Sequence, residues 1–212
     1  MKFVFGVDEV GRGPIAGPVA VGVFAVAAKS ESEARVKLAK IFPKVKESKQ
    51  LSEMKREMWY AKILEAKKSG LIDFSVAFES EKAIDTKGIA VCIRSCIVKA
   101  LNELVNAKSL SREAIKSADV LVLLDGGLKV PADFIHQKTI IKGDAKKSVI
   151  ALASIAAKVC RDRKMNNLAR KYPDYGFGIH KGYGTKAHYN AIEKRGILPV
   201  HRKSFLHPFE LA

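Results

Sequence analysis

The run Val120-Leu121-Val122-Leu123-Leu124 is aliphatic at every position and stops at Asp125-Gly126-Gly127. A strand with one wet face alternates apolar and polar residues, so an unbroken aliphatic run marks a strand covered on both faces, with helices on each side of its sheet. Phe3–Val7 and His136–Ile141 read as further strands, and they empty into Asp8-Glu9 and Lys142-Gly143-Asp144. Each of these strand-like runs finishes in a carboxylate, and parallel neighbours would bring the ends together.

The remaining segments fit the same architecture. Val19–Val26 reads as the second strand, joined to the first by a turn in which Pro14 and Pro18 forbid helix. Leu71–Phe78 is a further strand. Helices are expected over Ser32–Ile41, over Ser52 to Gly70, over Ile89–Ala107, over Ser148–Arg170 and over Thr185–Arg195. Ser52 supplies an N-cap and Gly70 a stop. In Ile89–Ala107 the residues Val91, Ile93, Ile97, Val98, Leu101 and Leu104 supply apolar faces. Strands alternating with helices give an α/β fold around a mixed sheet. Its main body is expected over residues 1–170, with an extension over 171–212 packed on it. Residues 29–50 are lysine-rich and weakly patterned, which marks them as the most mobile surface.

Charge narrows the partners. Lys plus Arg number 38 and Asp plus Glu 22, so the formal net charge is 38 − 22 = +16. Such a surplus favours a polyanion, because neutralising phosphates releases condensed counterions and steers the encounter. Nucleic acid is therefore the expected partner. There is no apolar run long enough to span a bilayer and no signal-peptide pattern before Asp8, so a soluble, cytoplasmic protein without membrane attachment is expected. Cys92, Cys96 and Cys160 form no disulfide framework and have no zinc spacing; free thiols in a reducing compartment are the plain reading.

The acids carry the chemistry. Any one of Asp8, Glu9, Asp125 and Asp144 alone is an ordinary loop acid. Four of them at strand ends in so basic a chain suggest a shared site, where clustered carboxylates need a cation and hard oxygen ligands suit Mg²⁺ or Mn²⁺. A two-metal site would activate water and stabilise the leaving oxygen of a phosphodiester. Gly11-Arg12-Gly13 is merely a turn by itself. Beside metal ligands, its glycines let backbone approach a sugar and its arginine meets phosphate.

The order of motifs closely resembles the type 2 ribonuclease H family, ribonuclease HII in its bacterial form. The resemblance rests on Asp8-Glu9-x-Gly11-Arg12-Gly13-Pro14-x-Ala16-Gly17-Pro18-Val19, Ser48-Lys49-x-Leu51-Ser52, Asp125-Gly126 and Lys142-Gly143-Asp144-Ala145-Lys146. It continues through Ala153-Ser154-Ile155-x-Ala157-Lys158-Val159-x-Arg161-Asp162-Arg163, Tyr172-Pro173-x-Tyr175-Gly176-Phe177, His180-Lys181-Gly182-Tyr183-Gly184-Thr185 and His201-Arg202-x-Ser204-Phe205. It implies a ribonuclease H-like fold with a helical C-terminal extension, acting on RNA in a duplex with DNA and at single ribonucleotides embedded in DNA. Asp8, Glu9, Asp125 and Asp144 would be the catalytic metal-binding acids, leaving 5′-phosphate and 3′-hydroxyl ends. Gly11-Arg12-Gly13 would read the ribose 2′-OH through its backbone, with Tyr183 packing on the adjoining sugar. Lys49, Lys146, Ser154, Lys158, Arg161, Lys181 and Arg202 lie inside matched motifs as substrate-binding candidates, although several of these cations have salt bridging as an equal alternative. His180 and His201 read first as hydrogen-bonded structural residues.

Some positions depart from the family pattern. Lys87-Gly88 stands where an asparagine is common near a helix start, so no substrate contact is expected there. The tail Phe205-Leu206-His207-Pro208-Phe209 lacks the glutamine that opens a sliding-clamp-binding box, so no clamp partner is expected. With few residues before Asp8, neither is the extra N-terminal domain of ribonuclease HIII. The protein is expected to act as a monomer. A non-catalytic nucleic-acid-binding protein and a resolvase-like nuclease that cuts DNA are the rival readings.

Overall fold

The computed structural model describes residues 3–43, 45, 51–117 and 119–206. Its centre is a five-stranded mixed sheet of β1 (Phe3–Val10), β2 (Val19–Ala27), β3 (Ile72–Glu79), β4 (Val120–Asp125) and β5 (Gln137–Ile140), in the order β3-β2-β1-β4-β5. β1 runs antiparallel to β2 and parallel to β4, and β4 runs parallel to β5. The all-aliphatic run is therefore an interior strand, and the carboxyl ends of β1, β4 and β5 lie side by side.

Helices cover both faces. On one lies α4 (Ile89–Ala107), whose buried stripe is Cys92, Ile93, Cys96, Ile97, Ala100, Leu101 and Leu104. The same cluster takes Phe5, Val7, Val122 and Leu124 from the sheet. Val91 and Val98 do not join it: one helical repeat apart, they share the outer face and are 41% and 40% exposed. The opposite face carries α1 (Glu31–Ile41), α2 (Glu53–Lys68) and α7 (Ser148–Lys171) against Val4, Phe24, Val26 and Leu123.

α7 sits unusually close to the sheet. A Cβ built on Gly6 would lie 2.4 Å from the Val149 carbonyl, and one on Gly22 would lie 2.4 Å from that of Ala153. Only glycine at these strand positions leaves room for helix backbone, and Ala153 and Ala157 keep the helix side of the contact small.

Several boundaries differ from expectation. β1 continues to Val10 because Asp8 and Glu9 still pair with Gly22 and Val21 of β2; these acids lie inside the strand's last turns, not after it. Asp144 belongs to a single helical turn, α6 (Gly143–Lys146), that follows β5. Two short helices, α3 (Glu81–Lys87) and α5 (Arg112–Lys116), were not foreseen, being too short for periodicity to show. Their signal was local: Ser80 and Ser111 cap them by accepting the N–H of Ala83 and Ala114.

Beyond α7 the chain forms a 3-10 turn at Pro173–Tyr175, then α8 (Phe177–His180) and α9 (Lys186–Arg195). A third apolar cluster, made of Ile15, Ala16, Met165, Tyr175, Phe177, Ile192 and Leu206, packs this segment on the end of α7 and on the turn after β1. Among the described residues no helix is long and apolar enough to cross a membrane. The tail beyond Leu206, where a clamp-binding box was sought, lies outside the described residues.

Overpacking a tight contact typically costs about 1–3 kcal/mol. Gly22→Ala is expected to lower the unfolding free energy by about that amount in a urea titration. An unchanged midpoint would mean that α7 is not seated as described.

Candidate active site

Side chains alternate along a strand, so the parity that points Val4 and Leu123 toward α7 does the same for Asp8 and Asp125. The pairing of Val7 with Leu124 brings the next residues, Asp8 and Asp125, level. Asp144 reaches them from α6, and one carboxylate oxygen of each of the three lies within 4.8 Å of the others. α6 is fixed from below: Gly143 donates its N–H to Asp125 Oδ1 at 2.6 Å, after a left-handed residue at Lys142, φ 54°. Asp8 Oδ1 accepts the N–H of Glu9 at 2.8 Å, and the Ser154 hydroxyl on α7 also bonds the carboxylate.

Burial, reinforced by the charges of Glu9, Asp125 and Asp144, pushes Asp8 up to about 8, against the opposing Ser154 hydrogen bond. Glu9 stands outside the group of three. Burial raises it too, while Arg12, 3.5 Å away, pulls it down. Three converging oxygen ligands, one of which burial and to a lesser degree mutual repulsion keep protonated, are a fitting donor set for a hard divalent cation, which would replace that proton.

Next to the acids lies the turn Gly11-Arg12-Gly13. Arg12 and Gly13 are exposed, and Tyr183, 47% exposed, is beside them: a Cβ on Gly13 would lie 3.9 Å from its ring. The turn is laced to the later segment by Ile15 and Ala16, whose N–H groups donate to Gly182 O at 2.9 and 3.2 Å. Arg202 returns its own N–H to Ile15 O at 2.7 Å.

Arg161 and Arg202 are not on the surface. Both are 0% exposed, and their guanidinium groups bond backbone carbonyls. Arg161 donates to Pro18 O at 2.9 Å, Lys181 O at 3.0 Å and Ala16 O at 3.3 Å. Arg202 donates to Gly17 O at 2.9 Å, Arg12 O at 3.1 Å and Gly11 O at 2.7 Å. The expectation that they touch phosphate gives way here, because their donors are already engaged inside the protein. Gly11, at φ 85°, has to be glycine: a Cβ there would meet Arg161 Nε at 2.1 Å.

The other cations divide in the same way. Lys146 is exposed on α6. Lys158 bonds the buried Asp162, which also pairs with Arg56 of α2 at 3.4 Å. Lys181 is buried, donating to Asn166 at 2.6 Å and Glu53 at 3.2 Å. Lys49 lies outside the described residues. Ser154 is buried and faces Asp8, so it supports an acid from behind instead of meeting substrate.

His180, His188 and His201 form a ring cluster with Phe177, in which His180 stacks on His188 and Phe177 meets His188 edge-on, and burial lowers the pKa of all three histidines. His188, absent from the sequence reading, is pushed down to about 4, and its Nε2 lies 3.1 Å from that of His201. Asp85 was also missed. It accepts the N–H groups of Lys203 and Ser204, both at 3.0 Å, and so ties α3 to the end of the chain.

The family model for ribonuclease HII matches residues 5–207. A ribonuclease HII of Fusobacterium nucleatum is 43% identical over 206 residues, covering 97% of this chain and 86% of the relative. The ribonuclease H2 of Pyrococcus horikoshii superposes with a TM-score of 0.62 at 27% identity, covering 95% of this chain and 93% of that one. Bst-RNase HIII, solved in complex with Mn²⁺, gives a TM-score of 0.65 at 22% identity over 92% of this chain and 63% of its own.

Without a cation, folded Asp8 keeps its proton up to about pH 8, whereas the unfolded chain releases it near 3.8. The folded state binds the extra proton across that window, so metal-free stability falls as pH rises through it. Mn²⁺ must expel that proton. Binding at neutral pH is expected to release about one proton, with affinity rising between about pH 6 and pH 8, as read by titration calorimetry in buffers of different ionisation enthalpy. A pH-independent affinity would remove Asp8 from the ligand set.

Proposed function

The chain belongs to the ribonuclease HII family, and on that footing we propose that it nicks DNA duplexes at single embedded ribonucleotides as well as cutting longer RNA–DNA hybrids. The coarser activity is that of the family: a metal-dependent endoribonuclease acting on RNA paired with DNA. The observation that carries the finer reading is the placement of three clustered carboxylates beside an exposed turn and an exposed tyrosine.

Asp8, Asp125 and Asp144 would hold the divalent ions, two in our reading, with Glu9 completing the set from the neighbouring strand position. When bound, Mg²⁺ or Mn²⁺ supplies Lewis-acid stabilisation of charge at the phosphate and favours a water nucleophile. The protein's own residues do the rest. Ser154 and the Gly143 N–H orient two of the acids, the Arg12 side chain offers a cation to the nucleic-acid backbone, and Lys146 offers another. Tyr183 gives an aromatic face to a sugar, and the backbone of Arg12 and Gly13 meets the ribose 2′-oxygen. Hydrolysis then leaves a 5′-phosphate and a 3′-hydroxyl. We propose that one chain suffices, since all of these groups come from a single copy.

The paired test uses a DNA duplex with one ribonucleotide and an all-DNA control. Nicking of the first alone is expected; equal cutting of both would favour a resolvase-like nuclease. Asp125→Asn should slow cleavage by at least about 1,000-fold, the equivalent of about 4 kcal/mol in the barrier, while duplex affinity stays within about twofold. Undiminished turnover in that variant would show that the three acids are not the catalytic centre.

A further inference from the structure

Two guanidinium groups enclosed in protein, Arg161 and Arg202, occupy six backbone carbonyls: those of Gly11, Arg12, Ala16, Gly17, Pro18 and Lys181. Among the described residues neither forms an ion pair with a carboxylate. Burying like charges side by side is an expensive way to hold a loop. What the arrangement achieves is orientation. In a planar trans peptide the carbonyl of one residue and the N–H of the next point in opposite directions. With the carbonyls of Gly11 and Arg12 drawn inward to Arg202, the N–H groups of Arg12 and Gly13 face outward. No backbone acceptor among the described residues takes either of them. Successive outward amides form a concavity that attracts oxygen lone pairs.

We propose that Arg161 and Arg202 are positioning residues for ribose recognition, holding the Arg12 and Gly13 amides outward as a donor pair for the 2′-oxygen of a ribonucleotide. Arg161 adds the second half of the device, because its bond to Lys181 O fixes the loop that carries Tyr183 against the same turn. Deoxyribose offers no oxygen at that position, so discrimination depends on how firmly the pair is aimed. This inference rests on the substrate reading above.

Lysine keeps the charge at these positions but cannot span three carbonyls. In Arg202→Lys and Arg161→Lys, kcat/KM on the single-ribonucleotide duplex is expected to fall about 100-fold, as a small misplacement of a recognition group can cause. Affinity for the all-DNA duplex, its salt dependence and Mn²⁺ affinity should stay as in the wild type. An unchanged kcat/KM in a folded variant overturns the proposal. So does a matching loss of all-DNA affinity with a shallower salt slope, which would mark a direct phosphate contact.

A second measurement needs no variant. In the wild-type chain without divalent ion, the ¹⁵N-amide resonances of Arg12 and Gly13 should shift with the ribonucleotide duplex and much less with all-DNA. Equal shifts with both duplexes, or none, overturn the assignment. A wild type that leaves the single-ribonucleotide duplex uncut defeats the substrate reading instead, while the amide shifts still judge this one.

Discussion

The contact between α7 and the sheet at Gly6 and Gly22 sets the rest of the molecule. Because helix backbone touches strand backbone there, the helix has a fixed height and direction over β1 and β2, and every residue further along it inherits that placement. Ser154 falls behind Asp8, and Arg161 falls behind the Gly11 turn. These two are 161 − 154 = 7 residues apart, or about 10.5 Å of helix rise. The spacing between the acids and the Gly11 turn is thus a property of one rigid rod and not of the loops that carry the groups.

Electrostatics divides the molecule in two. The surface carries most of a +16 net charge, suited to long-range attraction of a polyanion. The interior of the site does the reverse, gathering carboxylates whose burial and mutual repulsion are unfavourable until a cation arrives. Folding without the cation therefore proceeds with a proton in its place. Steering and chemistry are assigned to different residues, and few cations near the site serve both: Lys158 and Lys181 are already committed to Asp162, Asn166 and Glu53.

Sheet and long helices were legible because periodicity reports burial directly. The aliphatic run at Val120–Leu124 gave an interior strand, and Ile89–Ala107 coincided with its helix. Three of the four acids converge as their positions near strand ends suggested, although Asp8 and Glu9 lie inside β1, Glu9 stays outside the group and Asp144 sits on a helical turn. What sequence could not show was the direction of the arginines. Charge argues for exposure, yet the partners of Arg161 and Arg202 are carbonyls as far as 191 positions away, and no local pattern encodes such a contact. Asp85 was hidden for the same reason, since its partner Ser204 lies 119 positions away.

Residues 11–18 lie between Gly182 on one side and Val200 to Arg202 on the other, with Ala16 and His201 forming a β-bridge. The first turn of the protein is therefore completed by nearly its last described residues. The turn beside the acids of β1 therefore has no mould until residues 182 and 200–202 have been made. A chain ended before residue 200 would keep the acidic side chains of β1 while lacking the frame that fixes the turn beside them.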